Sequence, residues 1–304
     1  MKVSVAGTGN VAQYLIEEIP KYGHELVVLT RKEKPGKIYT QRATDYSLAS
    51  LISILDDLGV EALVSTIADF ENPPVATRIH FDMLEACKQS KICKSYIPSE
   101  WTCDVLNYPE QPMFLAEANK KLHDALKQSQ DIRWTIFANS WFMDYIVPAS
   151  QRYLRDIGAL WPMDHTTKVF TIYGPGDQLF SVCSVRDAAK AIAALLGTSE
   201  PWDPYTFVAG DHITLSGLFS AMKRRDPSWK SKTKSLAETL KPIIENTSSE
   251  AAMLSYFELL IYSGASNLPR AEVLRQRTKY FPNLHFQTVE ELLSLAEAHP
   301  GTIV

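Results

Sequence analysis

A chain of 304 residues, 45% of them apolar, can bury one large core with a smaller lobe attached, or two domains sharing an interface. A net charge of −4 and a pI near 6.0 argue against a nucleic-acid binder that works through a basic surface. No apolar run reaches the roughly 18 residues a membrane span needs. The cysteines, Cys87, Cys93, Cys103 and Cys183, form no CxxC pair and no histidine cluster accompanies them, so neither a zinc site nor a disulfide framework is expected.

The chain starts directly with a strand-turn signal, Lys2-Val3-Ser4-Val5-Ala6-Gly7, and no secretory leader, so a cytoplasmic location is expected. To about residue 150, short apolar runs alternate with amphipathic stretches. The runs are 3–6, 25–29, 62–66, 95–98 and 134–137; the helical stretches are 11–21, 48–58, 74–89 and 113–128. This alternation predicts an α/β fold: a Rossmann-like, doubly wound parallel sheet. Beyond residue 150 the pattern predicts helices at 186–196, from about 215, at 251–262 and at 289–298, with a strand at 206–209. We expect a dinucleotide domain over 1–150 and, over 151–304, a smaller, mostly helical substrate lobe with strands returning to the sheet. The polar stretch 223–234 reads as a solvated loop.

The sharpest local signal is Gly7-Thr8-Gly9-Asn10-Val11-Ala12, a G-x-G-x-x-A turn between a strand and a helix. Gly7 permits the tight turn. Gly9 lets the backbone approach a pyrophosphate, and the helix start offers free N–H groups to the phosphates. The second strand ends in Thr30-Arg31-Lys32, with no carboxylate for a ribose 2′-OH. Arg31 and Lys32 instead suit a 2′-phosphate, which favours NADP(H) over NAD(H).

In order along the chain, Ala6-Gly7-Thr8-Gly9, Leu29-Thr30-Arg31, Thr44-Asp45-Tyr46, Val64-Ser65-Thr66-Ile67, Tyr96-Ile97-Pro98-Ser99-Glu100-Trp101, Trp134-Thr135-Ile136 and Asn139-Ser140-Trp141-Phe142-Met143-Asp144-Tyr145 resemble the NmrA-like and isoflavone-reductase-like group of atypical short-chain dehydrogenases. The resemblance covers about the first 200 residues and is closest in look to fungal natural-product members. It implies that Ser65, Thr66 and Ile67 pack on the cofactor. It also implies that Pro98, Ser99 and Glu100 lie beside the nicotinamide, and that a Lys in the helix after the fifth strand carries catalysis.

No tyrosine among the 13 is followed four residues later by lysine, so the usual short-chain dehydrogenase acid–base pair is absent. The family's Lys position is ambiguous. The apolar stripe Leu115, Ala118, Leu122, Ala125, Leu126 puts Asn119 there; counting back from Trp134 puts Lys120 there. One residue turns a side chain about 100° around a helix, so the two readings exclude each other. Core packing fixes helix rotation more firmly than loop length does, which favours Asn119. His123, one turn on, is a further acid–base candidate. Trp101, Asn139, Trp141, Phe142, Tyr145 and Tyr173 are expected to wall a hydrophobic or aromatic substrate pocket.

The resulting expectation is an NADPH-dependent reductase of a small hydrophobic or aromatic metabolite in secondary metabolism, monomeric or homodimeric, without nucleic-acid or membrane partners. A dinucleotide-sensing regulator without catalysis, and a relative diverted to isomerase, dehydratase or lyase chemistry, stay open.

Overall fold

Val3, Val5 and Ala6 make Lys2–Ala6 (β1) a strand apolar on both faces, which fits only the middle of a parallel sheet. The computed structural model describes residues 1–70 and 72–304. After β1 come Asn10–Glu18 (α1), Glu25–Thr30 (β2), Thr40–Ala43 (β3), Leu48–Leu58 (α2), Ala62–Ser65 (β4), Pro73–Gln89 (α3), Ser95–Ile97 (β5), Met113–Gln128 (α4), Arg133–Trp134 (β6) and Ile136–Ala138 (β7). The order β3-β2-β1-β4-β5-β6 is parallel throughout. Thr135 alone separates β6 from β7, which carries the sheet on by pairing in parallel with Tyr205–Phe207 (β12).

Alternation along each strand divides the core. Val3, Val5, Val28 and Val64 pack with α1, whereas Val27, Leu29 and Leu63 pack with α2, α3 and α4 on the other face. The first face is completed from far along the chain by Val185–Gly197 (α5). Its buried Ala188, Ala189, Ala191 and Ala193 let it lie close to the sheet. Arg186 fastens it to α1 through Glu17 at 2.9 Å and Glu18 at 2.6 Å. Burial would raise the Glu18 carboxyl pKa, but hydrogen bonds from Lys21 and Arg186 hold it below the usual range.

Trp141–Phe142 (β8) pairs with Leu179–Cys183 (β11), which also pairs with Asp211–Thr214 (β13). Met163–Asp164 (β9), Val169–Tyr173 (β10) and Lys230–Lys234 (β14) form a second small sheet. The helices Leu215–Arg225 (α6), Leu236–Ile244 (α7), Ser249–Tyr262 (α8), Arg270–Tyr280 (α9) and Val289–Ala298 (α10) make the lobe mostly helical. Stretch 223–234 is therefore not a loop. It is the end of α6, a turn and an edge strand, anchored by Trp229, which is fully buried against His165. Its residues 230–233 are exposed on both faces, as an edge strand allows, while Lys234 turns inward to pair with the buried Glu258 at 2.6 Å. Gln276 of α9 covers the edge of β12, accepting from Phe207 N at 2.6 Å and donating to Tyr205 O at 2.7 Å.

Asp144, in the 3-10 turn Met143–Ile146, is fully buried, and its Oδ2 accepts from Val185 N at 2.8 Å where α5 begins. Burial, with the charge of Asp187, pushes the Asp144 carboxyl up to about 6. Between about pH 4 and pH 6 the native state keeps a proton that the unfolded chain releases, so this group's contribution to stability falls as pH rises through that window. Asp144→Asn should gain stability over the unmutated chain at pH 7.5, on the order of 2–3 kcal/mol at most, and lose most of the gain at pH 4.5. Urea midpoints at the two pH values test this; an equal difference at both would show that Asp144 is ionised throughout.

Candidate functional site

Two adjoining clefts open at the C-terminal ends of β1, β2 and β4. The first, about 340 Å³, is lined by Gly7, Thr8, Gly9, Thr30, Arg31, Tyr46, Thr66, Ile67 and Ala68, among others. Gly7 turns at φ +109°, and a Cβ there would stand 2.6 Å from Thr66 Oγ1, so β1 and β4 leave room only for hydrogen. Gly9 is the N-cap of α1 with ordinary φ −71°, and a Cβ on it would meet nothing within 4 Å. Its place opens onto the cleft, in front of the first α1 amides, which suits a phosphate. Of the expected cofactor residues, Gly7, Thr8, Gly9, Thr30, Arg31, Thr66 and Ile67 line this cleft. Ser65 is buried behind it, where its hydroxyl accepts from Ile67 N at 3.3 Å. Asn10, Lys32 and Pro98 line neither cleft, whereas Val11, Ser99 and Glu100 line the second.

The second cleft, about 300 Å³, shares Thr66 and Ala68 with the first. Its walls are Trp101, Trp141, Phe142 and Tyr145, as the sequence indicated, with Phe70, Leu115, Ile157, Leu160, Phe257 and Leu260. Trp101 donates from its indole nitrogen to Ser65 O at 3.1 Å and meets Phe137 edge-on. Trp141 donates to Ser266 Oγ at 2.9 Å. Burial pushes the Tyr145 phenol up to about 12, so it stays a proton-bearing donor at neutral pH. Tyr46, Trp101 and Ser140 hold positive φ of 61°, 39° and 56°. Such backbone costs about 1–3 kcal/mol for a residue with a Cβ and gathers at ligand sites; all three line the two clefts.

The rotation of α4 distributes its polar residues. Leu115 and Asn119, four apart, line the aromatic cleft. Lys120 is turned to solvent, 72% exposed at its side chain and paired with Asp124 at 2.5 Å. His123 does not line the aromatic cleft. It stands behind Glu100, its Nε2 2.6 Å from Glu100 Oε1, both side chains more than nine-tenths buried. Glu100 Oε2 is buried without a hydrogen-bond partner among the described residues. Two expected wall residues lie elsewhere. Tyr173 lines a separate polar cavity beside β14, and Asn139 is wholly buried, donating to Ser140 O at 3.3 Å. Phe257 and Leu260 escaped the sequence reading. Their signal is that the apolar residues of α8 are spread around the helix rather than gathered on one face.

Among the described residues no group of three acidic, histidine or cysteine side chains could hold a metal, and no helix is long and apolar enough to cross a membrane. No family model matches the chain. It is similar over its whole length to two curated fungal proteins. Oxidoreductase swnR of Arthroderma benhamiae is 32% identical and that of Metarhizium robertsii 31% identical, over 309 residues covering all of each protein. Among solved structures it is similar to AtPrR2 with NADP+ and (+)pinoresinol, at TM-score 0.77 and 19% identity over 97% of this chain and 98% of that one. The ternary complex of leucoanthocyanidin reductase from Vitis vinifera superposes at 0.77 with 16% identity, over 98% and 100%. These structures share the fold.

The two glycines should respond oppositely to the same change. Gly7→Val meets Thr66 and an unfavourable φ, and should lose about 2 kcal/mol or more. Gly9→Val has space and an allowed backbone, and should stay within about 0.5 kcal/mol of the unmutated chain. Thermal melting of the pair checks this; equal melting temperatures would contradict the turn geometry.

Proposed function

We propose a function from one premise: the chain belongs to the NmrA-like and isoflavone-reductase-like family of oxidoreductases, with the fungal swnR proteins as full-length relatives. It is an NADPH-dependent reductase of a small hydrophobic or aromatic metabolite. The observation that carries this reading is the continuity of the two clefts: a phosphate turn with Arg31 at one end, an aromatic-walled pocket at the other, joined at Thr66 and Ala68. When bound, NADPH supplies a hydride. The Gly9 turn and the first amides of α1 take the pyrophosphate, Arg31 takes the 2′-phosphate, and Thr66 and Ile67 flank the adenosine side. Trp141, Phe142 and Tyr145 hold a flat substrate. The Asn119 amide donates to the oxygen or nitrogen of its polarised double bond and stabilises the charge that develops there. The Trp141-Phe142-Met143-Asp144-Tyr145 string, fungal in look, supports a place in secondary metabolism.

Asn119, where the family carries a lysine, favours as a second reading a protein without reductase chemistry in the same clefts, either a dinucleotide-sensing regulator or an enzyme of isomerase, dehydratase or lyase type.

Calorimetry should show NADPH binding at least about ten-fold tighter than NADH, a difference of about 1.4 kcal/mol, with Arg31→Ala erasing the preference and Gly9→Val abolishing binding. Equal affinities in the unmutated chain would remove Arg31 from the site. NADPH consumption is then screened with aromatic enones, aldehydes and cyclic imines. On a substrate so found, Asn119→Ala should slow turnover about a hundred-fold without changing NADPH affinity, while Lys120→Ala leaves it within about two-fold, since its ammonium faces solvent. Turnover untouched by Asn119→Ala would remove Asn119 from the chemistry, and no NADPH consumption with any of these substrates would transfer support to the second reading.

A further inference from the structure

The aromatic cleft has a buried inner end and an outer mouth. Trp101, Cys103, Ser140, Tyr145 and Leu260 are buried, and among the described lining residues only Ala68 and Phe70 are exposed. Ala68 belongs to both clefts, so the way in from solvent that a bound dinucleotide leaves free runs past Phe70, which is 46% exposed. The Phe70 ring is seated between two others. It meets Phe114 of α4 edge-on at 6.3 Å and Phe257 of α8 edge-on at 5.9 Å, and these two meet each other at 5.7 Å. Tyr256 stacks on Phe114 at 5.9 Å. Such distances and angles suit the edges and faces of aromatic rings, so the place that Phe70 fills is shaped for a flat ring.

The space inside is small. An apolar cavity of about 150 Å³ takes one benzene-sized ring, and this cleft of about 300 Å³ takes about two. Hydride transfer needs the reacting carbons in contact. On the reductase reading one of the two places therefore belongs to the nicotinamide, beside Thr66 and Ala68, which line both clefts. One ring's space is left. We infer that Phe70 is a specificity-determining residue: its ring fills the outer aromatic seat and, with the cofactor bound, holds the substrate to a single ring with short substituents. The inference rests on the reductase reading and narrows its substrates to one-ring aldehydes, enones and imines. A second aryl group on the substrate has to lie where the Phe70 ring lies, and the clash excludes it. Without that ring the same place, walled by Phe114 and Phe257, receives the group.

The other large walls are tied into the fold. The indoles of Trp101 and Trp141 are pinned to Ser65 O and Ser266 Oγ, and Leu260 is 2% exposed. Phe70 differs from them in being half out of the core, and the backbone around it is held without its ring. On one side Thr66 Oγ1 donates to Ala6 O at 2.9 Å, and on the other Asn72 N donates to Asp69 Oδ1 at 2.8 Å. Truncating Phe70 therefore lengthens the cleft and leaves the cofactor residues Thr66 and Ile67 where they are.

Two phenols without a reducible group test the limit by binding alone: 4-methylphenol, with one ring, and 4-benzylphenol, with two. Their affinities are read by calorimetry and by quenching of tryptophan fluorescence, with and without saturating NADP+. Without NADP+ both should bind. With it, 4-benzylphenol should lose about ten-fold or more, the worth of one buried ring, while 4-methylphenol should not weaken. In the presence of NADP+, Phe70→Ala should restore the two-ring probe by about ten-fold and leave the one-ring probe unchanged. Adding Phe114→Ala should remove most of that gain, because the seat has then lost a wall. Phe70→Leu serves where the alanine variant does not fold, with a gain of about three-fold. NADPH consumption should be confined to one-ring compounds and extend to two-ring ones in Phe70→Ala. The one-ring limit is overturned, and the reductase reading left intact, if NADP+ binds but expels neither probe or both, or if Phe70→Ala gains nothing for 4-benzylphenol. No binding of NADP+ sinks the reductase reading, and the limit with it.

Discussion

The structure turns on β1, from which the chain winds outward twice: through β2 and β3 to one edge, then through β4, β5 and β6 toward the other. Crossovers between parallel strands keep one hand, so the loops after β1 and β4 part company at the strand ends. That parting makes the first cleft. It also brings Gly7 against Thr66 so closely that no side chain fits between them. The glycine turn is thus as much a condition of β1–β4 packing as a feature of ligand binding.

The far end of the site depends on segments distant in sequence. β8 and the turn after it are held by β11 on one side and by the Asp144 contact to α5 on another. Ser140 and Trp141 are tied to Ser266, more than a hundred residues on, by Ser140 Oγ to Ser266 O at 2.7 Å and by the indole contact. α8 then adds Phe257 and Leu260 to the lining. An apolar wall made from three separated segments needs a fixed backbone. The positive φ of Trp101 and Ser140 is strain that such surrounding contacts can hold in place.

Inside this wall, polar groups are few and mostly committed. Ser140 donates to Ser266 O, and Thr66 donates to Ala6 O at 2.9 Å. Glu100 is held at one oxygen by His123. In such surroundings each uncommitted donor or acceptor counts for more than it would in water, because the competing solvent is excluded. Chemistry in the cleft therefore depends on which side chain α4 turns inward.

By itself the sequence located β1, β2, β4, β5, the run that divides into β6 and β7, and the helices between them, but neither β3 nor β8; it also marked the glycine turn, the basic end of β2 and several of the aromatic residues that line the second cleft. These are local: period-2 and period-3.6 patterns and short turn motifs need no distant partner. It left Asn119 and Lys120 as alternatives, because an apolar stripe and a loop count gave helix rotations about 100° apart. Packing of Leu122 and Leu126 into the sheet chose between them, turning Asn119 to the cleft and Lys120 to solvent. Only the tertiary structure could decide that His123 stands behind Glu100 rather than in the cleft, that Tyr173 belongs to another cavity, and that the lysine-rich stretch before residue 235 is an edge strand. Each depends on a partner well along the chain, such as Glu100, 23 residues from His123, or β10, whose residues pair with those of β14 at a separation of 61, and no local period records such a partner.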